Sequence, residues 1–106
     1  MNIRFEYMYR DAGNYKNYGS VIFSNKRNVT AQEIRRRILL SLGDPSLFSA
    51  RSLKVPELYF DNFPYDPDLD HCMHEFVDVE EIEGPPMDLQ SRDIQEVLEE
   101  LQAAEL

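Results

Sequence analysis

Ile3-Arg4-Phe5-Glu6-Tyr7-Met8-Tyr9-Arg10 alternates with a period of two, which puts Ile3, Phe5, Tyr7 and Tyr9 on one face of a strand. Arg4, Glu6, Met8 and Arg10 fall on the other face. Ser20-Val21-Ile22-Phe23-Ser24 is a second β-branched and aromatic run, and Asp11-Ala12-Gly13-Asn14 between the two carries turn chemistry. The pair reads as an antiparallel hairpin with a long connection. After a polar bend at Asn25 to Asn28, Thr30-Ala31-Gln32-Glu33 fits a capping box: a hydroxyl for the Glu33 N–H and a carboxylate returning to Thr30. Ile34, Ile38 and Leu42 then form one helical stripe, and Gly43-Asp44-Pro45 stops it.

Further along, Phe48 to Leu53 suggests a short strand, and Asp61 to Asp70 is rich in proline and aspartate and reads as irregular. His74 to Glu80 predicts another strand, with Phe76 on the face opposite Val77 and Val79. Strand, helix and strand without regular βαβ alternation point to an α+β fold. The expected architecture is a small antiparallel sheet of at least three strands on the Thr30–Leu42 helix, with an additional amphipathic helix at the C-terminal end. That last helix is expected from Ser91 to about Ala104, where Ile94, Val97, Leu98 and Leu101 recur at helical spacing. Gly84-Pro85-Pro86 divides the two parts, giving a core domain over 1–83, a linker over 84–87 and a helix over 88–106. The apolar stripe is expected to fold back on its own domain, since a tethered segment has a high effective concentration.

The chain has 106 residues and a net charge of −9, unevenly spread. Residues 1–54 carry ten Lys/Arg against four acids, whereas residues 55–106 carry sixteen acids and Arg92 alone. An acidic balance disfavours duplex nucleic acid as a partner. The longest apolar runs are three residues, such as Val21-Ile22-Phe23, so no transmembrane helix is expected. Met1 to Glu6 lacks the apolar stretch of a secretion signal, and the lone Cys72 allows no internal disulfide. A cytoplasmic protein without membrane attachment is expected. Arg35, Arg36 and Arg37 spread around the helix rather than forming one patch, and read as a solvated face with local ion pairs.

Two stretches could carry function. Tyr9, Arg10, Asp11, Asn14, Tyr15, Lys16 and Tyr18 interleave aromatic rings with cations around the hairpin turn. Such a set suits a protein interface, where Tyr and Arg are frequent anchors, or the stacking of a nucleotide base beside a bound phosphate. The plainer account is half-buried strand tyrosines flanking a turn. The second stretch is Asp66-Pro67-Asp68-Leu69-Asp70-His71-Cys72-Met73-His74-Glu75. Its aspartates are spaced as in a calcium loop, but His71 and Val77 stand where the loop needs Gly and Glu. Asp70, His71 and His74 are the candidate metal ligands, yet H-x-x-H-E matches neither zinc-protease pattern. A thiol nucleophile at Cys72 is disfavoured by the acids around it, which would raise its pKa.

Tyr9-Arg10-Asp11, Asn14-Tyr15-Lys16, Gly19, Phe23-Ser24-Asn25, Pro56-Glu57-Leu58-Tyr59-Phe60 and Asp70-His71-Cys72-Met73-His74-Glu75-Phe76 together resemble a family of small bacterial proteins. That family joins a Y-R-D-x-x-N-Y-K-x-x-G hairpin to a D-H-x-x-H-E-F segment. The likeness spans about residues 4–80. It implies no activity, cofactor or partner. The residues favour a non-enzymatic module that binds another protein, or a second copy, through the aromatic-rich hairpin or the acidic half, with no cofactor. The alternatives are a small anionic ligand or nucleotide held at the same loop, and a metal-dependent hydrolase built on 66–75.

Overall fold

In the computed structural model, which describes residues 1–11, 13–59 and 73–103, the N-terminal alternation forms strand β1 (Asn2–Arg10). It pairs antiparallel with β2 (Lys16–Phe23), from Ile3 opposite Phe23 to Arg10 opposite Lys16. Asn14 takes a left-handed conformation at φ 67°, and its N–H donates to the Asp11 carbonyl at 3.0 Å. The turn therefore uses an Asn where such a backbone is tolerated.

Helix α1 (Ala31–Leu42) begins as its cap predicts, with the Glu33 N–H donating to Thr30 Oγ1 at 3.2 Å. The return half of the box is spent elsewhere: the Glu33 carboxylate takes the Arg36 guanidinium. β3 (Leu47–Ser49) is a strand of three residues. It ends sooner than expected because Ser49 caps a helical turn, α2 (Ala50–Leu53), by accepting the Ser52 N–H. β4 (Met73–Ile82) then runs antiparallel between β1 and β3, so the sheet order is β2-β1-β4-β3.

One expectation about β4 is corrected. Phe76 and Val79 are both buried on the inner face, while Val77 lies 39% exposed. The cause is a bulge: Glu6 faces Asp78, but its neighbour Tyr7 faces Phe76, so Val77 is the extra residue. An inserted residue reverses the parity of everything beyond it.

The inner face carries Ile3, Phe5 and Tyr7, with Val21, Phe23, Phe48, Phe76 and Val79. Phe5 is the hub, with the rings of Tyr7, Phe23, Phe48 and Phe76 all between 5.4 and 6.2 Å away. Ile34 and Ile38 of α1 close over it, joined by Ile94, Val97, Leu98 and Leu101 of α3 (Ile94–Ala103). The C-terminal stripe is thus buried in the chain's own core. The helix starts at Ile94 because Asp93 caps it: its carboxylate accepts the Gln95 N–H, and its own N–H donates to Glu96. This is a second capping box, D-x-x-E.

Residues 84–93 form a strap held at several points. Asn2 Nδ2 donates to the Gly84 carbonyl and the Met87 N–H to Ile22, both at 2.8 Å. Asp93 Oδ1 accepts from Ser24 Oγ and the Lys26 N–H. The Ile94 N–H then reaches the Ser24 carbonyl. Arg92 is the centre of this end of the molecule. Only 4% exposed, it pairs with Asp88 and Glu100 and lies 5.5 Å over the Phe23 ring. It also donates to the carbonyls of Leu53 and Lys54, closing the last turn of α2.

Candidate functional site

The hairpin residues separate by strand parity. Tyr9 points inward, 2% exposed, with its ring 5.2 Å from that of His74 and 4.8 Å from that of Tyr59. It is a core residue and cannot meet a partner. Arg10 lies on the outer face, where Glu75 of β4 takes Nε at 3.0 Å and Asn14 Oδ1 takes Nη1 at 2.6 Å. Asp11 Oδ1 accepts the Tyr15 N–H, so this carboxylate builds the turn. Tyr15 and Tyr18 are exposed, at 64% and 59%. Lys16 stands opposite Arg10, and among the described residues no carboxylate pairs with it.

β2 is an edge strand, and its two ends differ. Ile22 and Ser24 turn their carbonyls to the strap, which shows that even-numbered residues direct their backbone groups away from β1. The same alternation aims the N–H and C=O of Lys16, Tyr18 and Ser20 outward. No described strand or strap residue covers them. On the inner side, Leu58 sits against Gly19, where a Cβ would come within 2.8 Å of its Cδ2. Asn17 Nδ2 donates to the Leu58 carbonyl, and the Leu58 N–H donates to His74 Nε2 at 2.9 Å.

That last bond decides the role of His74. Its Nε2 accepts a backbone N–H, so that nitrogen already serves the fold; the residue is fully buried among the rings of Tyr7, Tyr9 and Phe48. Asp70, His71 and Cys72, with the rest of 60–72, lie outside the described residues. Among the described residues no group of three or more His, Cys, Asp or Glu side chains could hold a metal ion. Tyr7 donates its hydroxyl to the Pro56 carbonyl at 2.6 Å, and burial pushes its pKa up to about 12.

Elsewhere, a cleft of about 330 Å³ opens between the C-terminal end of α1, β3 and α3, lined by Leu42, Phe48, Met73 and Leu101 with a few serines. It contains none of the candidate binding or metal-ligating residues named from the sequence. Of the three arginines of α1, Arg35 pairs with Asp78, while Arg36 and Arg37 share Glu33 and Arg37 also donates to Gln95. The Arg92 cluster escaped sequence reading, although an isolated cation in an acidic half was a signal that it could be enclosed. Comparison with protein-family models, with curated proteins and with solved structures returns no match. Among the described residues no helix is long and apolar enough to cross a membrane.

Proposed function

We propose that the protein is a non-enzymatic binding module that accepts an extended segment of another protein along the open edge of β2. The observation that carries this reading is the outward-facing backbone of Lys16, Tyr18 and Ser20 on an edge strand whose other end is sealed. Unpaired strand edges recruit strands, main-chain hydrogen bonds supply the affinity, and alternate side chains supply the choice of partner. Tyr18 and Tyr15 flank that edge as exposed aromatic anchors. The Tyr9 to Gly19 motif behind the resemblance to small bacterial proteins is this same hairpin, so members of such a family would share the edge. We place the module in the cytoplasm, where the lone Cys72 stays reduced.

The nucleotide reading has less support. Arg10, which would meet a phosphate, already has its charge balanced by Glu75. A pull-down from native lysate with wild-type and Ser20→Pro protein tests the proposal. The Ser20 N–H faces away from β1, so proline there leaves the β1–β2 ladder intact while blocking strand addition. Wild type is expected to retain a protein that the variant loses. Equal retention by both overturns the edge reading, and a thermal shift with nucleotides at millimolar concentration would revive the alternative.

A further inference from the structure

We infer that the segment accepted by the β2 edge is β2 of a second copy, giving a two-fold dimer with one continuous sheet. The inference rests on the open-edge reading above. The edge is short and bounded on both sides: the turn at Asn14 ends it on one side, and Met87 occupies the Ile22 carbonyl on the other. Between those limits only Lys16, Tyr18 and Ser20 face outward. An antiparallel pairing centred on Tyr18 is the one register that uses all of them, setting Tyr18 against the Tyr18 of the second copy and Lys16 against Ser20.

The side chains suit that register. Tyr18 meets its own copy as an aromatic cross-strand pair, a favourable combination. Lys16, which in one chain faces the like-charged Arg10, comes beside the small Ser20 of the other copy. Beyond Ser20 lies Glu6, its direct neighbour on β1, which in one chain already meets Arg4 at 3.2 Å. With strands about 4.8 Å apart, the Lys16 ammonium reaches across Ser20 toward the Glu6 carboxylate, which it would share with Arg4. The register also brings Tyr15 of one copy to the level of Val21 in the other, beside the strap residue Met87, 68% exposed. The pairing thus gathers exposed apolar side chains and moves the Lys16 charge from beside Arg10 to the side of a carboxylate, without opposing like charges across the new strand pair.

The test combines sedimentation with cross-linking. Wild type should dimerise in a dilution series reaching about 1 mM, and Tyr18→Lys, which sets like charges face to face at the two-fold axis, should weaken the dimer about tenfold or more. In a Cys72→Ser background, Tyr18→Cys should oxidise to a covalent dimer. Directly opposed residues in a hydrogen-bonded pair lie about 5.5 Å apart at Cα, within disulfide range. Leu40→Cys, at a position more exposed than Tyr18 but on α1, should not cross-link. Because Tyr18 is exposed, both variants are expected to keep the wild-type circular dichroism, and Ser20→Pro repeats the sedimentation test independently. A monomer throughout, with no cross-link at position 18, overturns the second-copy inference. The edge reading then stands or falls on the Ser20→Pro pull-down. A dimer that survives both variants without cross-linking uses another surface and likewise overturns the second-copy inference, while the edge reading is again decided by the pull-down.

Discussion

The two ends of β2 solve the same problem in opposite ways. At Ile22 to Ser24 the outward backbone groups are taken by Met87 and Ile94, and Asp93 ties the strap to Ser24 and Lys26. At Lys16 to Ser20 no described residue takes the same kind of backbone group, and the edge runs beside exposed tyrosines. A chain able to close one end of an edge has the means to close the other. The contrast between a stapled end and an open end is therefore what the proposed edge contact rests on.

The stapled end should be the costlier one to disturb. Arg92→Ala leaves the buried Asp88 carboxylate and the Leu53 and Lys54 carbonyls without their donor. Breaking one side of a buried pair costs about 3–5 kcal/mol, which urea unfolding will register as a lower midpoint. Arg92→Lys should recover little, because an ammonium cannot span the acceptors that the planar fork reaches. Asp93→Ala comes next. It removes a helix cap worth about 1–2 kcal/mol, together with the bonds to Ser24 and Lys26. Hydrogen exchange at Ile94 and Lys26 should quicken, while exchange at Tyr7 and Gly19 follows only the global loss.

Acid should find the same end. Burial alone would raise the carboxyls of Asp88 and Asp93, but their hydrogen bonds outweigh it. Arg92 holds Asp88 below the ordinary aspartate range, and the Lys26 and Gln95 N–H groups with Ser24 hold Asp93 there. Groups depressed in the folded state add stability that is complete above the unfolded aspartate pKa and lost as pH falls through the folded values. Stability should thus decline below about pH 4, and the decline should shrink in Asp93→Asn. Tyr7 acts at the other extreme. Its pKa is raised to about 12, so its contribution is complete below pH 10 and disappears as pH climbs toward 12. An absorbance titration of tyrosine should show a late phase that Tyr7→Phe removes.

How much of this was legible in the sequence depends on the range of the signal. The alternation of β1, the Thr30 cap and the Ile94 to Leu101 stripe are local patterns, and each became the element it predicts. The bulge at Val77 is a matter of register between distant strands, so Phe76 and Val79 looked opposed when they share a face. The bonds of Gly84 and Met87 go to Asn2 and Ile22, far along the chain, so the segment reads locally as a linker. Arg92 stands in the sequence as the one cation of an acidic half, and its enclosure is not readable there because only the fold brings α2 over it. The cap at Asp93 was readable from D-x-x-E, but Ser91 offered an earlier start. At the hairpin, parity alone separates Tyr9 from Tyr18: the alternation that assigned Tyr9 to the core face also removes it from any binding set.

The smallest effect is expected at the boundary between the two ends, at Gly19. Alanine in a strand normally gains about 0.5–1 kcal/mol over glycine by reducing the freedom of the unfolded chain. Here a Cβ would press to 2.8 Å from the Leu58 Cδ2. That methyl is the end of a flexible side chain, but its backbone is fixed at both ends, the N–H on His74 and the carbonyl on Asn17. The two terms oppose, and a net loss below about 1 kcal/mol is expected from Gly19→Ala. A double-mutant cycle with Leu58→Ala isolates the clash: removing the Leu58 methyls should turn the Gly19→Ala loss into a gain. The Gly19 backbone faces β1, so Gly19→Ala should leave sedimentation unchanged even where stability moves. If Gly19→Ala is instead stabilising on its own, Leu58 turns aside freely and does not seal the inner face of the hairpin. If it alters association, the open edge extends around the strand rather than along Lys16, Tyr18 and Ser20.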